Sequence, residues 1–244
     1  MTITFSQTNV GNVPAQTSGL ASWFDATDTS GDGSVISDAT AIASWVDKSG
    51  VGSTVAQATA DFQPTVKIAI IAGKSVVRFD GTDDDMALAS VAATADMSIF
   101  IAQNVLGANA TASSCVCMNG SNDFQIQSAN FSDKYYSKVN TVNLGETSEI
   151  RSSVNLIGAP FITTVIFSNG DSDVTLRIDG SEVGTDTYNG AMSTTQELIL
   201  GANRGKNQWL QTDIAEIVFI NKDVSTAETL AMERYLGNKW GISV

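Results

Sequence analysis

Residues 173–183, Asp-Val-Thr-Leu-Arg-Ile-Asp-Gly-Ser-Glu-Val, carry the clearest signal for the fold. Val174, Leu176 and Ile178 alternate with polar residues, which is the period of a β-strand with one buried face. The dipeptide Asp179-Gly180 then supplies a preferred two-residue hairpin turn. The segment therefore predicts two antiparallel strands joined by a tight turn.

Short β-like runs of this kind recur on both sides of the hairpin, separated by turns rich in Gly, Asn and Asp. The predicted strands are Leu20–Phe24, Ile42–Asp47, Val76–Phe79, Ser98–Val105, Cys115–Met118, Phe124–Gln127, Lys134–Tyr136, Phe161–Ser168, Leu198–Leu200 and Ile214–Asn221. No internal repeat and no linker interrupts the series. The pattern favours an all-β fold, a single sandwich of two antiparallel sheets.

The end of the chain has a different period. Ser225 and Glu228 have the spacing of a capping box, which marks the start of a helix. Tyr235 and Trp240 fall on one apolar helical face, and Gly241 suits the position just after a helix. We therefore expect one C-terminal helix to close the sandwich.

The chain divides into a polar segment, residues 1–19, and one domain, residues 20–244. We expect the first segment to be an extended N-terminal arm. It has no basic region followed by an apolar run, so the sequence predicts neither a cleaved signal peptide nor a membrane anchor.

The composition narrows the classes of function. The formal net charge of −13 and the isoelectric point near 4.2 disfavour nucleic acid and anionic membranes as partners. The sequence contains no histidine, which excludes a Ser-His-Asp site, a Cys-His site and a His-ligated metal.

Cys115 and Cys117 are the only cysteines of the chain. At positions i and i+2 of a strand they should lie side by side on one face. A disulfide across one residue is strained, and two thiolates are too few for a zinc site. We expect two reduced thiols packed on one strand, which suggests assembly in a reducing compartment.

Several motifs in order along the chain resemble the concanavalin A-like (LamG-like) lectin/glucanase jelly-roll domains found in bacteriophage virion and bacterial surface proteins. They are Trp23-Phe24-Asp25-Ala26-x-Asp28, Trp45-x-Asp47-Lys48-Ser49-Gly50, Val77-Arg78-Phe79-Asp80-Gly81-x-Asp83-Asp84, Asp213-Ile-Ala-Glu216, and Tyr235-Leu236-x-x-Lys239-Trp240-Gly241-Ile242. The resemblance implies a jelly-roll sandwich. We expect Trp23, Trp45, Phe79 and Trp240 to be buried anchors of its core.

Enzymes of this family commonly carry carboxylates at alternate positions of one strand. Asp213 and Glu216 are the nearest match, but a spacing of three residues should place them on opposite faces. Because glycoside hydrolysis needs two neighbouring carboxylates, the sequence predicts that the chain is not an enzyme.

Calcium is the one metal that the sequence suggests. Asp28, Ser30 and Asp32 place oxygen ligands at alternate positions before Gly33, as in the start of a calcium-binding loop. Ala39 stands where the bidentate acid would be expected, so a plain turn is the alternative. A second acidic group, Asp80 with residues 83–85, is expected to be a solvated turn.

Four residues are candidates for glycan contact because they combine loop aromatics with hydrogen-bonding groups. Trp209, Arg204 and Asn207 share one loop, and Tyr188 lies in another. Packing against the edge of the core is the alternative for both aromatics.

The function expected from these features is that of a phage virion structural protein, a capsid decoration or fibre-like protein on the virion surface. Its partners would be capsid or other virion proteins, with homo-oligomers possible. The alternative is a carbohydrate-binding or adhesion module, with a glycoside hydrolase the least favoured reading.

Overall fold

A computed structural model of the chain describes residues 13–51, 54–91, 94–108, 113–119, 122–131, 134–143, 146–187 and 196–244. Its strands, in chain order, are β1 (Leu20–Asp25), β2 (Ser44–Trp45), β3 (Val55–Ala56), β4 (Thr65–Ile71), β5 (Lys74–Asp80), β6 (Met86–Val91), β7 (Met97–Ala108), β8 (Ser114–Asn119), β9 (Asn122–Phe131), β10 (Lys134–Asn143), β11 (Glu146–Arg151), β12 (Phe161–Ser168), β13 (Asp173–Ile178), β14 (Ser181–Thr187), β15 (Gln196–Leu200) and β16 (Leu210–Ile220). Its helices are α1 (Val13–Gln16) and α2 (Thr226–Trp240), and Ala60–Phe62 forms a 3₁₀ turn.

The strands form two antiparallel sheets of eight strands each. In the first sheet the order is β14-β13-β12-β7-β16-β5-β4, and β1 pairs with the remaining part of β16. In the second sheet the order is β11-β10-β9-β8-β15-β6-β3-β2. Side chains from both sheets meet in one apolar core that includes Phe24, Trp45, Phe79, Phe124 and Phe167. The predicted two-sheet sandwich is confirmed.

The predicted hairpin at 173–183 is present. Val174, Leu176 and Ile178 enter the core between the sheets, and Ile178 pairs with Ser181. Asp179 and Gly180 both have positive φ, 48° and 76°, as a two-residue turn of this type requires. The alternation and the turn residues together determined this part of the fold.

Helix α2 lies on the outer face of the first sheet. Ser225 and Glu228 form the predicted capping box, and Gly241 ends the helix in the left-handed conformation with φ 68°. Met232, Leu236 and Trp240 pack in a second apolar cluster against side chains of the sheet, among them Trp23, Val76, Phe100 and Val218. All four predicted aromatic anchors are buried. No helix among the described residues is long and apolar enough to span a membrane.

The N-terminal segment differs from the expected extended arm wherever it is described. Val13–Gln16 is a helical turn, Pro14 is buried, and Val13 packs against the cluster beneath α2. Apolar burial of Val13 and Pro14 stabilises this turn, and residues 1–12 lie outside the described residues. The predicted strand Ile42–Asp47 is likewise reduced to Ser44–Trp45.

A bulge in β8 changes which face of the sheet the two cysteine side chains occupy. The register between β8 and β9 shifts between Ser114 and Val116. As a result Cys115 belongs to the core between the sheets, whereas Cys117 belongs to a cluster on the outer face. The expectation that both thiols share one face is wrong, because a bulge inserts one residue and breaks the alternation. Both cysteines are buried thiols, and they do not form a disulfide with each other.

Candidate functional site

The motifs that carry the family resemblance converge on one buried carboxylate, Glu216 of β16. Glu216 Oε1 accepts hydrogen bonds from Trp23 Nε1 at 2.6 Å and from Tyr235 Oη at 2.8 Å. Glu216 Oε2 accepts from Trp240 Nε1 at 2.7 Å and lies 2.7 Å from Lys239 Nζ. The carboxylate is wholly buried, and the chain itself supplies all of these partners.

Asp25 extends this arrangement across the strand pair β1–β16, where it lies opposite Glu216. Lys239 Nζ is 2.8 Å from Asp25 Oδ2 and therefore bridges the two carboxylates. Lys48 Nζ lies 3.5 Å from the same oxygen. We call Trp23, Asp25, Glu216, Tyr235, Lys239 and Trp240 the Glu216 network.

Burial and the neighbouring groups of the chain shift the pKa values within the Glu216 network. Burial raises the pKa of Glu216, and the ammonium of Lys239 opposes this. Burial also acts to raise the pKa of Asp25, but Lys239 and Thr27 outweigh it, so the pKa is lowered overall. Burial and Glu216 raise the pKa of Tyr235, which keeps its hydroxyl protonated as a donor. The network fastens α2 to the first sheet and leaves no oxygen of Glu216 exposed to a ligand.

The expectation that Asp213 and Glu216 lie on opposite faces is wrong. The register of β16 against β7 shifts between Ile214 and Glu216. Ile214 and Ile217 both enter the inner core, so Asp213 and Glu216 both point outward. The two carboxylates nevertheless have separate partners, since Asp213 receives two hydrogen bonds from Arg78, at 2.6 and 2.7 Å.

A hairpin at residues 201–210 joins the two sheets and carries three of the predicted glycan-binding residues. Asn203 Oδ1 accepts from the backbone N–H groups of Asn207 and Gln208 at 3.1 and 3.2 Å. Lys206 Nζ holds the tip to the body of the domain through Glu197 at 3.0 Å and Asp85 at 3.2 Å. The hairpin is therefore preorganised.

The hairpin packs on the outward side of the second sheet. Cys117 pairs with Ile199 on one side and with Gln125 on the other, so the three side chains share a face. Trp209, half-buried, packs on Cys117 and Ile199. We call this surface, formed by Ser114, Cys117, Gln125, Ile199, Arg204 and Trp209, the hairpin face.

The hairpin face also carries polar groups. Arg204 Nε and Nη2 each lie 3.2 Å from the side-chain amide of Gln125, and both bonds form when the amide oxygen faces the guanidinium. The other end of that amide lies 3.2 Å from Ser114 Oγ. Among the residues described, no acceptor meets the buried indole N–H of Trp209. A half-buried aromatic ring on the same face as a guanidinium and an amide is suited to bind a polar ligand that has an apolar face.

Arg204 and Trp209 lie on the same face, since Arg204 meets Gln125 and Trp209 packs against the cluster that contains Cys117, the strand neighbour of Gln125. Asn207 is exposed at the tip, and its amide oxygen accepts from Asn203 Nδ2 at 2.9 Å. Tyr188 lies outside the described residues. Sequence reasoning missed Gln125 and Ser114, because strand pairing alone brings them to the hairpin. Asn203 had a usable signal, since Asn favours turns in which its side chain bonds the following backbone.

The acidic turn at residues 80–85 borders the hairpin through Asp85 and Lys206. Contrary to the expected solvated turn, Asp84 and Asp85 are buried, at 6% and 4% exposure. Burial and neighbouring carboxylates raise the pKa of Asp84 to about 6. Among the described residues, Asp80, Asp83 and Asp84 are the one group of three acidic side chains close enough together to hold a metal ion.

In the loop predicted to bind calcium, the carboxylates of Asp28 and Asp32 have partners within the chain. Asp28 Oδ1 accepts from Gly33 N at 2.9 Å, and its Oδ2 lies 3.0 Å from Lys48 Nζ. Asp32 Oδ1 accepts from Ser30 Oγ at 2.6 Å and from Ser34 N at 2.9 Å. These bonds lower the pKa of Asp32 to about 2. Calcium binding by Asp28, Ser30 and Asp32 stays a prediction.

Comparison with solved structures shows the fold at low sequence identity. A Trypanosoma rangeli sialidase in complex with sialic acid superposes with a TM-score of 0.58 and 10% identity, over 92% of this chain and 34% of its own. NanB, solved with Optactamide, superposes with a TM-score of 0.51 and 14% identity, over 63% of this chain and 26% of its own. The Ruminococcus gnavus IT-sialidase CBM40 bound to α2,3-sialyllactose gives 0.48 and 11% identity, over 58% of this chain and 83% of its own.

The two likenesses with TM-scores above 0.5 concern the fold alone. The chain spans about a third of the length of the T. rangeli sialidase. No family model matches the sequence, and no curated protein matches it. That this sandwich is of the concanavalin A-like (LamG-like) type therefore stays a prediction.

The expectation that this chain is not an enzyme is wrong. Its fold is shared by about a third of a chain that is a sialidase, at 10% identity. The geometric reason behind the expectation also fails, because the bulge in β16 places Asp213 and Glu216 on one face.

Proposed function

We propose that this chain is a carbohydrate-binding module and that the hairpin face binds the sugar. The observation that carries the proposal is that Trp209, half-buried on a hairpin held by Asn203 and Lys206, lies on the same sheet face as the Arg204–Gln125 pair. A sugar ring has an apolar C–H face that suits an indole ring, and its hydroxyls suit guanidinium and amide groups.

The solved structures support a carbohydrate ligand over the virion role. The T. rangeli sialidase that shares the fold was solved with sialic acid. A preorganised hairpin also reduces the entropy lost when a ligand binds, which favours recognition by a surface as small as this one.

A glycan array probed with the full chain tests the proposal, followed by calorimetry on the best ligand. We expect Trp209→Ala to weaken binding by about 30-fold, since a central aromatic contact contributes about 2 kcal/mol. Phe62→Ala is the matched control, because Phe62 is an exposed aromatic on the 3₁₀ turn and not on the hairpin face. The proposal is contradicted if no glycan is retained, or if folded Trp209→Ala binds as tightly as the parent chain.

The virion surface location, the capsid partners and the homo-oligomer stay predictions from the sequence. Electron microscopy of virions that lack this chain tests them. A missing layer of density on the capsid is expected, and an unchanged capsid surface would remove the decoration role.

A further inference from the structure

A cleft of about 430 Å³ opens where the edge strands of the two sheets, β11 and β14, approach each other. The segment 151–154 forms one wall and the β13–β14 hairpin forms the other. Its volume falls within the range of about 300–1,000 Å³ that is usual for small-molecule sites. In the second sheet β11 lies two strand spacings from β9 and four from β15, so about 10–19 Å separate it from the strands of the hairpin face.

The lining of the cleft combines apolar and polar groups. Ile178 and Val183 supply an apolar surface, and Ile178 is almost fully buried. The hydroxyls of Ser153 and Ser181, both exposed residues, stand at the walls. Such a mixture matches a ligand that carries hydroxyl groups on an apolar ring.

The position of one carboxylate in the cleft is fixed by the backbone. Asp179 Oδ1 accepts a hydrogen bond from Ile162 N at 2.8 Å, which holds this side chain at the β13–β14 turn. Glu182 adds a second carboxylate and Arg151 one guanidinium. The charged groups of the lining therefore sum to about one negative charge, which disfavours an anionic ligand.

We propose that this cleft is a second carbohydrate site that binds a neutral hexose ring. The carboxylates accept hydrogen bonds from sugar hydroxyls, the serine hydroxyls accept and donate them, and Ile178 and Val183 contact the apolar face of the ring. The site uses none of the residues of the hairpin face, so it goes beyond the proposed function and can be tested separately.

The test is an NMR titration of the full chain with glucose, galactose and mannose, with glucuronic acid as the matched anionic ring. We expect saturable shifts of the backbone amides of residues 152–154 and 181–183 with at least one neutral hexose. Glucuronic acid should bind about 10-fold more weakly than glucose if glucose is the ligand. Trp209→Ala should leave these shifts unchanged, which separates this site from the hairpin face.

Ser153→Trp, which fills the cleft, should abolish the shifts. Ser37→Trp is the control, since Ser37 is an exposed serine in a loop remote from the cleft in sequence. The proposal is overturned if no neutral hexose shifts the cleft amides, if Ser37→Trp removes the shifts as completely as Ser153→Trp, or if glucuronic acid binds as tightly as the neutral sugars.

Discussion

The tryptophans on the two outward faces of the sandwich differ in burial and in the hydrogen bonding of their indole N–H groups. On the first sheet, Trp23 and Trp240 donate to Glu216 beneath α2 and are almost fully buried. On the second sheet, Trp209 is half-buried, and its indole N–H meets no acceptor among the described residues. The residues most prominent in the sequence motifs thus hold the helix to the sheet, whereas the candidate binding residues lie in a segment without such a motif.

The largest effect is expected from removing the carboxylate at the centre of the Glu216 network. Glu216→Ala should lower the free energy of unfolding by about 3–5 kcal/mol, because it leaves three buried donors without their acceptor and removes one of the two carboxylates that Lys239 bridges. Urea denaturation measures the change. Glu216→Gln, which keeps the shape and one acceptor oxygen, should cost less, and Glu182→Ala at an exposed site should cost about 0.5 kcal/mol or less.

A loss below about 1 kcal/mol in the free energy of unfolding of Glu216→Ala would contradict this account, because the packing of α2 on the first sheet would then not depend on the Glu216 network. If Glu216→Ala does not fold, Glu216→Gln still distinguishes the two outcomes.

An intermediate effect is expected at the base of the hairpin face. Gly201 has φ 82°, and a Cβ there would lie 2.2 Å from Phe79 Cδ1. Gly201→Ala should therefore cost about 2–3 kcal/mol through strain and overpacking. Gly205, in the same hairpin, has room for a Cβ at 3.4 Å from the Asn207 side chain. Thermal and urea unfolding should show little change for Gly205→Ala, and equal losses in the two variants would contradict the account.

The smallest effect is a pH dependence at the acidic turn beside the hairpin. Burial raises the pKa of Asp84 from 3.8 to about 6, so the folded state retains a proton that the unfolded state has released. Stability contributed by this group is therefore lost as the pH rises from about 4 to about 6. Asp84→Asn should be more stable than the parent chain by about 1 kcal/mol at pH 7 and no more stable at pH 4.

Urea denaturation of both chains across this pH range measures that difference. Asp186→Asn is the control, since Asp186 also accepts one backbone N–H but lies outside the turn. If the difference in the free energy of unfolding between Asp84→Asn and the parent chain does not vary with pH, the raised pKa of Asp84 is not its cause.

Local signals predicted most of the secondary structure. The capping box at Ser225 and Glu228, the stop at Gly241 and the turn at Asp179-Gly180 each act through neighbouring residues, so the sequence shows them directly. The bulges near Cys115 and Ala215 could not be predicted, because an inserted residue leaves no mark in the alternation until the partner strand is known.

The candidate site was predictable only in part. Trp209 and Arg204 stood out as an aromatic and a cation in one polar loop. Gln125 joins them through the pairing of β8 with β9 and β15, and that register depends on contacts distant in sequence. The same holds for Glu216, whose indole partner Trp23 lies 193 residues away.

The four indole N–H signals of the chain in a ¹⁵N-correlated NMR spectrum test the central claim most directly. Trp23, Trp45 and Trp240 donate to acceptors within the fold, whereas Trp209 lies at the proposed site. On titration with a glycan selected by the array, the Trp209 signal should shift saturably while the signals of Trp23 and Trp240 stay in place. Saturable binding that leaves the Trp209 signal unmoved would contradict the assignment of carbohydrate binding to the hairpin face.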